Sequence, residues 1–115
     1  MPHTTDRTTD HALEGWDIGH ADKQRWAPWG SHGDAKAKVL AVGDGYHVVL
    51  VRADAGYEGE AHVHAHTEFA YVLDGEVRTQ GTTMRAGDAY AASIGSEHTD
   101  FGTETGATFI SIFKL

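Results

Sequence analysis

Four side chains able to bind a metal, His62, His64, His66 and Glu68, fall within seven positions of a 115-residue chain. They lie in the stretch GYEGEAHVHAHTEFAYVLDG, which runs from Gly56 to Gly75. A strand sends alternate side chains to one face, so His62 and His64 can point into the same interior. Imidazoles and a carboxylate gathered on an inner face are costly unless hydrogen bonds or an ion satisfy them. His98, thirty positions after Glu68 and just beyond Gly95, offers a further nitrogen. His62, His64, Glu68 and His98 thus make a four-donor set drawn from three strands, of the kind that suits one divalent transition metal. The chain has no cysteine, so any metal must rely on nitrogen and oxygen ligands.

The remaining sequence is built to make strands. Fourteen glycines against two prolines supply many tight turns for short antiparallel segments. The spacing predicts strands at 37–42 (AKVLAV), 46–53 (YHVVLVRA), 61–64, 68–73 (EFAYVL), 76–80, 82–85, 89–93, 98–101 and 107–115 (ATFISIFKL). Gly43-Asp44-Gly45, Gly81 and Ala86-Gly87-Asp88 read as turns, Asp74-Gly75 as a two-residue hairpin, and Ala65–Thr67 as a tight connection. Such regular spacing argues an all-β sandwich or barrel. Residues 1–34 differ. A polar, threonine-rich start to about residue 14 reads as a flexible tail carrying His3 and His11. Behind it an extended arm holds Trp16, Trp26 and Trp29, which are expected to pack on the barrel or on a neighbouring subunit; His20 and His32 read as surface residues of that arm.

Gly56, His62, His64, Glu68 and Gly75 reproduce the spacing G-x5-H-x-H-x3-E-x6-G. Gly87, Gly95 and His98 fit a second pattern, G-x5-P-x-G-x2-H-x3-N, which fails at Ser93 and Phe101. These are the two motifs of the cupins, and residues 38 to 115 resemble a small single-domain, metal-binding cupin. The resemblance implies a jelly-roll β-barrel over residues 35–115 preceded by the arm. It also implies a first metal shell of His62, His64, Glu68 and His98. The metals that suit such a set are iron(II) first, with manganese(II), nickel(II), copper(II) and zinc(II) as alternatives.

Other residues near the motifs are candidates for chemistry. Asp100, two positions after His98, shares its face if the strand is regular, as a general base, as an acceptor for a ligand's second ring nitrogen, or on the rim. His66 reads as a turn residue or a partner of the ligands, with a fifth-ligand role or an exchange with Glu68 left open. Tyr57, Tyr90 and Arg85 can reach the pocket mouth. His47 reads as a satisfied core histidine.

Composition narrows the partners. A net charge of −8 without any Lys/Arg cluster argues against nucleic acid. No apolar run is long enough for a membrane span and no signal peptide is visible, so a cytoplasmic address is expected. Period-2 alternation sends Phe69, Tyr71 and Leu73 outward, and the last strand is apolar on nearly both faces, so a homodimer is expected. Metal cupins include dioxygenases, cyclases, isomerases and lyases. The first expectation is an oxygen-dependent dioxygenase acting on a small enolisable or phenolic substrate. A non-redox metal enzyme and a small-ligand or metal-sensing module are the alternatives.

Overall fold

The computed structural model describes residues 9–10, 14–30 and 32–114. The expectations for His3, His11 and most of the tail lie outside the described residues. Thr9–Asp10, expected in that tail, form β1 and pair with β2 (Ile18–Gly19).

The architecture is an all-β jelly roll. Its strands are β3 (Ala27–Pro28), β4 (Ala35–Gly43), β5 (Tyr46–Ala53), β6 (His62–Val63), β7 (Glu68–Thr79), β8 (Thr82–Arg85), β9 (Ala89–Ala92), β10 (Glu97–His98), β11 (Phe101–Gly102) and β12 (Ala107–Lys114). The main sheet runs β11-β7-β12-β5-β4-β3, with β8 and β9 also paired to β7, and β6 and β10 pair separately. The last strand in sequence therefore lies between β7 and β5.

Two hairpins close as their residues require. Asp44 (φ 52°) and Gly45 (φ 83°) join β4 to β5, and Gln80 (φ 51°) and Gly81 (φ 76°) join β7 to β8. Positive φ at both central positions gives the turn twist that matches antiparallel strands. Asp74-Gly75 behaves differently from the hairpin expected there. The chain runs straight through it, and β7 spans twelve residues. Thr108 pairs with Asp74 while Phe109 pairs with Val72, leaving Leu73 as the extra residue of a bulge. Inward parity consequently flips, from Ala70 and Val72 to Val77 and Thr79. Gly75 (φ 79°) is required there, since a Cβ would fall 2.2 Å from the Gly106 carbonyl oxygen.

The core fills from alternate positions of β4, β5, β7 and β12. Val49, Val51, Val72 and Val77 are fully buried, joined by Ala35, Ala37, Val39, Met84 and Phe109. Each buried valine contributes about 1.5–3 kcal/mol from removing apolar surface from water. His47 is buried in this framework, stacked on Phe113 with ring centroids 5.8 Å apart. The outer face of β7 leaves Phe69, Tyr71 and Leu73 exposed, the alternation that prompted the homodimer expectation.

The arm is joined to the barrel. β3 is the edge strand, pairing Ala27 with Ala37. The Lys38 ammonium and the Arg52 guanidinium lie 4.7 and 4.8 Å from the Trp26 ring centre. Trp29 packs on Phe113, whereas Trp16 stays largely exposed. Among the described residues no helix is long and apolar enough to cross a membrane.

Candidate metal centre

His62 and His98 sit directly opposite each other on β6 and β10. His64 follows β6 and is fixed by two backbone bonds across the same ladder: its N–H donates to the Ser96 carbonyl and its carbonyl accepts from Gly95 N–H, each at 2.8 Å. Glu68 opens β7 beside β9. One ligand atom from each of these four residues lies within 4.8 Å of all the others. The centre is asymmetric, with His64 and His98 buried and His62 facing the open side.

The ring nitrogens are oriented for an ion. His62 Nδ1 is 3.0 Å from the Glu60 carbonyl oxygen and His64 Nδ1 is 2.9 Å from that of Ser96. A carbonyl only accepts, so both Nδ1 atoms carry hydrogen and both Nε2 atoms are the ones turned to the centre, with lone pairs to offer wherever the ring is neutral. The Ser96 hydroxyl is committed to the Ser93 carbonyl at 2.6 Å, which also shows how this turn is held without the motif's proline. His64 Nε2 then faces Glu68 Oε1 at 3.0 Å, acceptor against acceptor. That approach calls for a positive charge between them, a proton or a metal ion, so the donor set fits a divalent cation. Burial holds the His98 imidazole below its usual pKa, against the pull of Glu68 and with the neighbouring His64 and His62 adding to the effect. His98 therefore stays neutral and able to ligate near neutral pH.

The other oxygen of Glu68 is occupied by the protein. Tyr90 O–H donates to Oε2 at 3.0 Å and Ser111 O–H donates to it at 3.2 Å. The Tyr90 oxygen also lies 3.2 Å from His98 Nε2. Burial and the adjacent Glu68 carboxylate push the Tyr90 phenol far above its usual range, so it remains a donor.

The cluster opens into a cavity of ≈ 630 Å³. Trp29, Tyr57, Phe101, Phe109 and Phe113 form its aromatic wall, while Glu60, His66 and Lys114 are exposed on its rim. Phe101, where the second motif has asparagine, lies with its ring centre 5.0 Å from His98 and 5.5 Å from Phe109. His32, expected at the surface, is exposed and also lines this cavity.

The candidates Tyr57, His66 and Asp100 fare differently. Tyr57 is buried and lines the cavity; burial, then Asp34, Glu60 and Glu68, hold its phenol above the usual value. His66 stands exposed on the bend at the rim, outside the four-residue cluster. Asp100 is a correction. It belongs to neither strand, because β10 ends at His98 and β11 begins at Phe101, so face-sharing with His98 does not hold. Its carboxylate accepts from Arg78 Nε at 2.8 Å, away from the cavity lining, and that hydrogen bond holds it below the usual carboxylate range. Arg85, which could have reached the mouth, serves as surface charge: it donates to Glu76 at 3.1 Å and is not among the residues lining the cavity. Ser111 belongs to no motif that would single it out. A hydroxyl in the inward stripe between Phe109 and Phe113 is the signal that marks it.

The family model described as the ChrR cupin-like domain matches residues 16–114. No curated protein matches the chain in sequence. An acetylacetone dioxygenase from Acinetobacter johnsonii is similar with a TM-score of 0.72 at 15% identity, over 93% of this chain and 78% of that one. An RmlC-like cupin from Shewanella frigidimarina NCIMB 400 gives 0.73 at 26% identity, over 84% of this chain and 88% of that one. A chain from the Rhodobacter sphaeroides complex of SigE with the anti-sigma ChrR gives 0.69 at 23% identity, over 83% of this chain and 51% of that one. The present chain thus spans about half of that last relative.

Proposed function

The chain belongs to the ChrR cupin-like family, and from that premise we propose that it is a metal-dependent cupin enzyme, an oxygenase of a small enolisable or phenolic compound. The observation that carries this reading is the opening of the His62–His64–Glu68–His98 cluster into an aromatic-walled cavity of ≈ 630 Å³. The likeness of fold to an acetylacetone dioxygenase agrees with it. A bound divalent transition metal supplies Lewis acidity and, where redox-active, electron transfer toward dioxygen; iron(II) is the first choice for this donor set.

The chain's own groups bind and orient. Phe101, Phe109 and Phe113 hold the planar apolar body of a substrate and exclude water from it. Tyr57, kept protonated by its burial, donates a hydrogen bond to a substrate oxygen and is not a base near neutral pH. His66 stands exposed on the rim, beside the entrance a substrate would use.

A second reading, a metal- or ligand-sensing module, is favoured by the family's description and by the likeness to the SigE–ChrR complex. Elemental analysis of protein purified without added metal or a histidine tag, followed by oxygen uptake with β-diketones and phenols, tests both. Near-stoichiometric iron, manganese, nickel or copper with substrate-dependent uptake supports the oxygenase. Zinc without uptake overturns it, and points to a non-redox enzyme or the sensing module.

A further inference from the structure

Glu68 is gripped from two directions by hydroxyls on the strands flanking its own. Tyr90 on β9 and Ser111 on β12 both pair in register with Ala70, one from each side of β7. Ala70 is two positions beyond Glu68 on the same inward face and is itself buried. Its methyl group leaves room for both hydroxyls to converge on Glu68 Oε2, at 3.0 and 3.2 Å. The opposite oxygen, Oε1, is the one turned to the histidines, 3.0 Å from His64 Nε2 and 4.0 Å from His62 Nε2.

A carboxylate on a rotatable side chain can offer either oxygen or both to an ion. Two O–H donors on one oxygen remove that freedom, because rotating the group forfeits both bonds at a buried site. We propose that Tyr90 and Ser111 are positioning residues that fix Glu68 to present Oε1 alone to a metal, keeping the second carboxylate oxygen from competing with substrate for a place on the ion. This inference rests on the metal-centre reading of the four-residue cluster. It assigns no reaction and adds no ligand.

Cobalt(II) titration of the full chain tests it, following both affinity and the visible absorption of the bound ion. Ser111→Ala removes one donor and leaves His98 untouched, Tyr90→Phe removes the other together with the 3.2 Å contact to His98 Nε2, and the double variant removes both donors. The double variant should lose about 10–100-fold in cobalt affinity, the range seen when partners of metal ligands are removed. Its absorption bands should also shift as Oε2 becomes available, and Ser111→Thr should retain the wild-type bands by restoring the hydroxyl. Affinity within about twofold of wild type with unchanged bands overturns the proposal, even if the variant melts at a lower temperature. Wild type that takes up no cobalt at all overturns the metal-centre reading, and this inference falls with it.

Discussion

His62 and His98 are a cross-strand pair, opposite each other on β6 and β10 with ring centroids 5.0 Å apart. Three of the four donors thus depend on one short ladder, since His64 is fixed across it as well, and the ladder is held by backbone bonds that do not involve the rings.

Removing one imidazole from that pair should empty the centre without unfolding the barrel. His62→Ala is the cleaner choice because the side chain is exposed. Its metal affinity should drop by more than about 100-fold, past the range for outer partners. The β-sheet circular dichroism should persist. Full metal occupancy in this variant would remove His62 from the ligand set.

Stability of the metal-free protein should depend on pH through His98. Burial holds its pKa below the usual 6.5, with Glu68 opposing and His64 and His62 reinforcing the shift. The unfolded chain then takes up this proton at a higher pH than the folded chain. Nothing is lost above pH 6.5; below it, stability falls with falling pH until the lowered folded value is passed. Melting temperatures recorded across this window should decline, and His98→Asn should flatten the decline. An identical slope in the variant would assign the effect elsewhere.

Asp100→Asn should leave metal content and any oxygen uptake unchanged, because its carboxylate serves Arg78 outside the cavity. The same guanidinium also meets Glu58 at 2.8 Å, which ties the approach to β6 to the segment after β10. Glu58 is exposed and Arg78 and Asp100 are half-buried near the surface, so the melting temperature should fall by no more than a few degrees and the difference should shrink in high salt. A large loss of turnover with intact metal content would return Asp100 to the chemistry.

Phe109 belongs to both the core and the cavity wall. Phe109→Ala should cost about 3–5 kcal/mol in denaturant unfolding, as expected for a large buried ring. Bulkier phenols should then bind relatively better than small diketones. Unchanged selectivity would mean that this wall does not touch substrate.

The four-donor cluster was legible because its spacing is local and its residue types have few other uses together on an inner face. The strands were legible from their β-branched alternation and glycine turns. Asp74-Gly75 misled because the pair that favours a hairpin also suits a bulge; what separates the two is the approach of Gly106 from another part of the chain. Asp100 misled because counting by twos presumes an unbroken strand, and the strand breaks between His98 and Phe101. His66, read as a turn residue, does stand on a bend. Tyr90 and Ser111 reach Glu68 from 22 and 43 residues away, beyond the reach of any short pattern.

Because β12 lies between β5 and β7, the centre of the main sheet is made by residues 107–114. A chain emerging from the ribosome must therefore carry one side of β5 and one side of β7 as unclosed edges until those residues appear. Loop closure over such distances is slow, and open edges invite pairing with other chains. Between synthesis of β7 and arrival of β12 these two edges stand open, and faster translation through residues 80–107 would shorten that interval.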